Sequence, residues 1–170
     1  MLNPPPPWTN QPIVLYHGTL DVHASLILQS GINVGSGMAG KDFGRGFYTT
    51  TVRQQADDWA WKLSRQSGGT QPGVLEISID RSALAELDTL AFVRGERDAD
   101  DFWSLVAHCR SGADDHGRSA QTAHYDVVVG PVAAFWEQRA AMLGADQVSF
   151  HTRRAEEMLN SNRVNRRRVW

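Results

Sequence analysis

Two short runs combine residue types able to hold a ligand. Tyr16-His17-Gly18-Thr19 places an imidazole, a residue without a side chain and a hydroxyl in succession. At a strand end, that order sets ring nitrogens beside a backbone that a ligand can approach closely. Taken alone, the run reads more readily as a histidine satisfied within its own fold. Lys41-Asp42-Phe43-Gly44-Arg45-Gly46-Phe47-Tyr48-Thr49-Thr50 puts glycines on both sides of Arg45, then delivers the aromatic Tyr48. Such a backbone can wrap a ligand, with a cation suited to phosphate. A Gly-rich hairpin with a core tyrosine is the competing reading. A P-loop is excluded, because the Gly-Lys-[Ser/Thr] ending is absent. The single cysteine, Cys109, excludes a disulfide framework and a multi-cysteine zinc site. Its neighbours Leu105, Val106 and Ala107 mark it as a buried helical thiol rather than a nucleophile. His124 and His151 sit in strand-like runs and read as structural. No His/Asp/Glu spacing suits a metal, so no metal centre is expected.

The elements that must position these runs follow from hydrophobic period and punctuation. Ile13 to His17 is a compact apolar run stopped by Gly18, as in a buried strand. Asp21 is placed to cap a helix carrying Val22, Leu26 and Ile27 that stops at Gly31. Six glycines between 31 and 46 predict a flexible loop, and Phe47 to Val52 a strand. Gln54 to Arg65 reads as a helix with Ala56, Trp59, Ala60 and Leu63 on one stripe. Gly73 to Asp80 alternates with period two, and Leu90 to Val93 is a second short strand. Asp100 to Cys109 is helical, Tyr125 to Val129 a strand closed by Gly130-Pro131, and Ala133 to Leu143 a helix. Gln147 to His151 is a last strand, after which Thr152 caps a final helix facing the core with Ala155, Met158 and Leu159. Strands and helices in irregular order imply an α+β fold.

A chain of 170 residues with 41% hydrophobic and 21% charged residues suits one folded domain. The division expected is a Pro-rich arm over residues 1–11, a single domain over 12–160 and a basic tail over 161–170. The net charge of −2 exerts no overall pull toward nucleic acid or anionic membrane. Charge is nevertheless unevenly spread. Arg153, Arg154, Arg163, Arg166, Arg167 and Arg168 fall late in the chain, while Asp98, Asp100, Asp101, Asp114 and Asp115 make its middle acidic. The arginines read either as a solvated surface or as a contact for nucleic acid or an acidic partner. Met1 to Pro7 has no basic stretch followed by an apolar run, so the expectation is a product cytoplasmic as synthesised, with delivery to another cell by a non-Sec route. No window approaches the length of a membrane span, and no membrane partner is expected.

Together the motifs resemble the ADP-ribosyltransferase superfamily, in the branch with a His-Tyr-Glu type of triad. His17-Gly18-Thr19 is similar to its strand ending His-Gly-[Ser/Thr]. Gly44, Gly46, Phe47 and Tyr48 are similar to its Gly-x-Gly-hydrophobic-Tyr. Trp59 stands where some members place a second aromatic, eleven residues after that tyrosine. The runs Asp42 to Thr50, Gln55-Ala56, Trp59-Ala60 and Asp146-Gln147-Val148-Ser149-Phe150-His151-Thr152 are similar to an uncharacterised bacterial, DUF3990-like group. The likeness covers residues 13–65 and 124–160; residues 81–122 match no motif.

What the resemblance implies is an enzyme of the glycosyltransferase class, built of two small, mainly antiparallel sheets around an NAD⁺ cleft with flanking helices. It would cleave NAD⁺ at the nicotinamide–ribose bond and transfer ADP-ribose to a macromolecular acceptor, protein or nucleic acid. His17, Tyr48 and Gln147 would form the triad. His17 would bind the adenosine ribose, Gly18 the nicotinamide amide, and Tyr48 and Trp59 the faces of the nicotinamide ring. Tyr16, Thr19 and Gly46 would line the dinucleotide, and Arg45 would meet its pyrophosphate. Many relatives carry Glu where this chain has Gln147, which bonds a ribose hydroxyl but carries no charge and is no base. Charge would then come partly from elsewhere, Asp146 being one source. The alternatives are a catalytically silent NAD⁺- or ADP-ribose-binding module and an NAD⁺ glycohydrolase. A 2′-phosphotransferase of the same fold is disfavoured, since it would need a second histidine where Tyr48 stands. The bacterial relatives imply a toxin or effector held by a cognate antitoxin or immunity protein.

Overall fold

The computed structural model describes residues 11–93 and 99–170. The proline-rich arm, apart from residue 11, and Asp98 lie outside the described residues. The chain is α+β, with two mostly antiparallel open sheets. Strand β1 (Ile13–Leu20) pairs with β3 (Pro72–Ile79), which pairs on its other edge with β7 (Val164–Arg168). The second sheet runs β2 (Phe47–Thr49), β6 (Asp146–Phe150), β5 (Val127–Pro131), β4 (Thr89–Ala91), with only the β4–β5 pair parallel. Helices α1 (Asp21–Ser30), α2 (Arg53–Gln66), α3 (Arg81–Leu84), α4 (Ala99–Arg110) and α5 (Arg153–Leu159) flank them.

Side-chain alternation explains the layering. Leu15, Leu75, Ile77 and Ile79 of the first sheet meet Phe47, Val127, Val148 and Phe150 of the second in one core. The opposite faces go to helices. Val74 packs on Ala56 and Ala60 of α2, and Val128 packs with Phe102, Val106 and Cys109 of α4. Cys109 is fully buried, and burial pushes its thiol up to about 12, as suits a structural residue.

Four expectations are corrected. The buried stripe of α2 is Ala56, Ala60 and Ser64, whereas Trp59 is 42% exposed. Small residues let the helix lie directly against β1, where a Cβ on Gly18 would stand 2.1 Å from the Ala56 carbonyl oxygen. Residues 133–143 form no α-helix. A short 3₁₀ turn, Trp136–Gln138, ends at Arg139 with φ 52°, and the bridge Phe135–Ala140 closes it. Alanine propensity there has no buried stripe to support it. The glycine-rich stretch 31–46 is anchored at both ends, through Ile32 and Val34 to Asn160 and Glu156, and through buried Asp42 and Phe43, while Met38 between them is exposed. Asp21 does not cap α1 from outside; it is the first helical residue, and its carboxylate pairs with Arg168.

The basic segment 161–170 is not a tail, because β7 completes the first sheet. Beyond β7, Val169 N–H donates to the Val74 carbonyl at 3.0 Å, and Trp170 lies 5.3 Å from Trp61, ring to ring. Its arginines are used within the chain: Arg167 binds Glu76 and Arg163 binds Glu86. A chain truncated after Asn162 is expected to lose about 3 kcal/mol or more of stability, at roughly 1 kcal/mol per ladder hydrogen bond. Urea unfolding checks this; a midpoint equal to that of the full chain would show that the segment is dispensable.

Candidate functional site

The two sheets touch at a narrow seam. Tyr16 N–H donates to the Thr50 carbonyl at 2.8 Å, and Thr50 N–H to the Tyr16 carbonyl at 2.9 Å. One residue further along β1, His17 Nδ1 lies 2.7 Å from the Tyr48 carbonyl, and its ring stacks on Phe47 at 4.3 Å. A carbonyl only accepts, so Nδ1 carries the proton and Nε2 keeps a lone pair. Burial lowers the pKa of the ring, with the Tyr48 carbonyl partly opposing that, so the neutral tautomer is favoured. His17 thus offers one acceptor suited to a hydroxyl.

Tyr48 contributes a ring rather than an acid or base. Its hydroxyl donates to the Gly44 carbonyl at 2.8 Å and accepts the Phe43 N–H at 3.0 Å. Burial raises its pKa, so the phenol stays protonated. The hydroxyl therefore closes the glycine loop on itself. Gly46 is required for the same closure, since a Cβ there would lie 2.7 Å from His151 Nδ1.

Tyr48 faces Ser149 across the β2–β6 pair, and Gln147 is two residues from Ser149, so Tyr48 and Gln147 share a face. Gln147 is 7% exposed. Its Nε2 donates to Asp42 Oδ2 at 2.7 Å and to the Pro131 carbonyl at 2.8 Å. Both partners are acceptors, so the amide cannot be reversed, and Oε1 accepts no hydrogen bond among the described residues. Asp42, 4% exposed, also accepts from Ala133 N–H at 2.8 Å, Arg110 Nε at 2.9 Å and the terminal Nη2 of Arg110. Asp42 and Arg110 were given no role by the sequence. The one signal in the sequence was the place of Asp42 at the head of the Asp42 to Thr50 run; its burial shows only in the fold.

The other nominated residues are placed differently. Tyr16 and Gly18 turn to α2, where Tyr16 packs against Ala56, Ala60 and Val74. Thr19 is buried. Arg45 reaches back to the Gly37 carbonyl at 2.8 Å and the Gly35 carbonyl at 3.5 Å. Trp59 makes no ring contact with Tyr48; Lys41 and Lys62 hold their ammonium groups 5.4 and 5.0 Å from its centroid. Asp146 is occupied: Oδ1 accepts from Thr50 Oγ1 at 2.6 Å and from Thr51 N–H at 2.9 Å, and Gln55 clasps its backbone. A separate cavity of about 380 Å³ opens beside α4, lined by Phe92, Ser104, His108, His116 and Tyr125 among others. None of the nominated residues borders it. Among the described residues no cluster suits a metal ion, and no helix is long and apolar enough to cross a membrane.

Two histidines brace this region as neutral rings. His116 Nδ1 accepts from Tyr125 N–H at 2.9 Å and its Nε2 bonds the Phe43 carbonyl at 3.1 Å. His151 Nδ1 bonds the Arg45 carbonyl at 2.7 Å and Nε2 bonds Ser149 Oγ at 2.8 Å. Burial lowers His116 to about 4 and His151 to about 3. The unfolded chain takes up these protons near 6.5, before the native chain does. The stability they contribute is therefore complete above pH 6.5 and lost as pH falls through about 4 and then about 3. The urea midpoint is expected to drop between pH 7.5 and 4.5, and less steeply in His151→Gln. An identical slope in that variant would show that His151 is not held neutral.

A comparison with curated proteins finds no match. The model of the family described as protein of unknown function (DUF3990) matches residues 13–143, which take in the histidine strand, the glycine loop, Tyr48 and Asp42 but stop short of Gln147. The match spans more than half of the chain, which therefore belongs to this DUF3990 family.

Proposed function

We propose that this chain holds NAD⁺ at the seam between its sheets, in an ADP-ribosyltransferase-like fold, and transfers ADP-ribose to a macromolecular acceptor. The observation that carries the reading is the convergence of three distant motifs on that seam. His17 bonds the Tyr48 backbone, and Gln147 shares the face of Tyr48 with its amide oxygen unpartnered among the described residues. Those groups match the needs of the reaction. The bond from ribose C1′ to the nicotinamide nitrogen breaks, the electron pair leaves with the ring, and the ring becomes neutral. Positive charge spreads over C1′ and the ring oxygen until the acceptor's lone pair forms the new bond and its proton passes to solvent.

In this reading His17 Nε2 and Gln147 Oε1 accept ribose hydroxyls, fixing the sugar before charge develops. Tyr48 stacks on the nicotinamide, whose flat ring suits an aromatic partner. Arg45 keeps guanidinium N–H groups beyond those used on Gly35 and Gly37, and these meet the pyrophosphate. Trp59, with Lys41 and Lys62 beside it, borders the same dinucleotide rather than sandwiching the ring with Tyr48. A toxin or effector role, with an antitoxin or immunity protein as partner, belongs to the same proposal.

A silent NAD⁺-binding module is the second reading. The observation favouring it is that Gln147 is uncharged and the nearest carboxylate, Asp42, is already paired with Arg110. Incubation with labelled NAD⁺ and lysate, followed by separate protease and nuclease digestion, tells the two apart. Transfer predicts free nicotinamide and label removed by one of the digestions. Nicotinamide without label identifies water as the acceptor. Binding without release supports the silent module, and absence of binding removes both readings. Tyr48→Ala is expected to weaken NAD⁺ about tenfold or more, the scale of one lost stacking contact. Gln147→Ala is expected to slow nicotinamide release roughly a hundredfold; unchanged release in that variant would take Gln147 out of the mechanism.

A further inference from the structure

We propose that Asp42 is a positioning residue that acts through Gln147, and that its presence is the reason position 147 carries glutamine. The inference rests on the proposed NAD⁺ reading and places a carboxylate, itself paired with Arg110, directly behind that site's acceptor. Asp42 sits in the loop before β2, and Gln147 sits near the start of β6. They meet in a buried chain of hydrogen bonds that runs from Arg110 through the Asp42 carboxylate to the Gln147 amide. Every neighbour of that carboxylate is a donor: Arg110 on Oδ1, Ala133 N–H and Gln147 Nε2 on Oδ2.

Two consequences follow from donor and acceptor count. The amide of Gln147 is held with Oε1 away from Asp42 and Pro131, since both of those groups accept. An amide nitrogen that donates to a carboxylate also leaves its own oxygen more electron-rich, because hydrogen bonds in series polarise one another. Gln147 thereby presents a fixed, enriched acceptor to the ribose, with the formal charge one residue behind it. A glutamate at position 147 would set a second carboxylate 2.7 Å from the first and would need a proton to keep the bond. Glutamine makes the same contact without that proton.

The prediction is a donor–acceptor swap. Asp42→Asn leaves three sets of donors facing one oxygen, so an amide hydrogen meets Gln147 and turns its oxygen inward. Gln147→Glu opposes two carboxylates. In the double variant the asparagine amide donates to the glutamate carboxylate, so the contact between 42 and 147 is complementary again, while the Pro131 carbonyl and Ala133 N–H stay without their partners and recovery is partial. Nicotinamide release is expected to fall about 10- to 100-fold in kcat for each single variant, the range for a lost hydrogen bond to a charged group. In Asp42→Asn the KM for NAD⁺ is expected to stay within about threefold, since Asp42 itself does not touch the dinucleotide. The double variant is expected to recover at least about tenfold over either single one, a coupling of the size that contacting residues show.

A double variant whose loss is the product of the two single losses would overturn the proposal, as would an unchanged kcat in Asp42→Asn. One measurement on the wild-type chain keeps the proposal falsifiable if a variant does not fold. The Gln147 side-chain amide protons, assigned by their absence in Gln147→Glu or by through-space contacts, are expected to exchange with water at least about tenfold more slowly than those of exposed Gln66. Equal exchange would refute the locked amide. Absence of nicotinamide release from the wild type would instead sink the transferase reading, and amide exchange compared between the wild type and Asp42→Asn would still decide whether Asp42 holds Gln147.

Discussion

A carboxylate removed from water is stable only if donors meet it on all sides, and Asp42 imposes that demand on much of this fold. Arg110 arrives from the end of α4, Ala133 N–H from the turn after β5, and Gln147 from β6. The loop that carries Asp42 is thereby fastened to three separate parts of the chain. Phe43, its neighbour, is fully buried against Phe102 of α4, and its carbonyl bonds His116. Removing one donor would leave a buried charge under-partnered, which costs more than the lost contact itself. That asymmetry makes the loop a framework element rather than a mobile cover.

The second constraint is closeness. The sheets are joined backbone to backbone at Tyr16 and Thr50, and α2 comes near enough to β1 that only glycine fits at position 18. Asp146 and Gln55 hold the same junction from the other side, through Thr50 and the backbone of β6. The residues around His17 and Tyr48 therefore do two kinds of work. Tyr16, Gly18, Gly46, Gln55 and Asp146 set backbone distances, while His17 Nε2 and Gln147 Oε1 are acceptors that no described residue uses. Motif likeness alone does not separate these classes, because both are tied equally tightly to the same geometry.

Most of the elements were legible from hydrophobic period. β1, α1, α2, β3, α4, β6 and α5 fall within a few residues of their expected places, because each buries a face whose spacing matches its geometry. Thr152 caps α5 as its residue type suggested, accepting from Ala155 N–H. The failures share a cause. Ala133 to Leu143 has helical composition but no face to bury, and the arginines of β7 hide a strand whose apolar anchor is Val164. Edge strands that carry charges on their open side give little periodic signal. The site was legible in its His17 and Tyr48 motifs and illegible in Arg110, which comes from a segment with no motif and meets Asp42 only through tertiary folding.

In the proposed site, glutamine at position 147 answers the same need of the Asp42 carboxylate for donors. Within hydrogen-bond distance of a carboxylate a second ionised carboxyl is disfavoured, and an amide is the side chain of nearly equal shape that can donate to it. Arg110 offsets part of the repulsion, but its donors are directed to Oδ1, so the Oδ2 contact that position 147 shares with Ala133 N–H still calls for a hydrogen on the side chain at 147. The local need is for a donor, and glutamine is the donor that still leaves an oxygen for a ligand. In the proposed site Gln147 therefore keeps the acceptor, with the Asp42 carboxylate one hydrogen bond behind it.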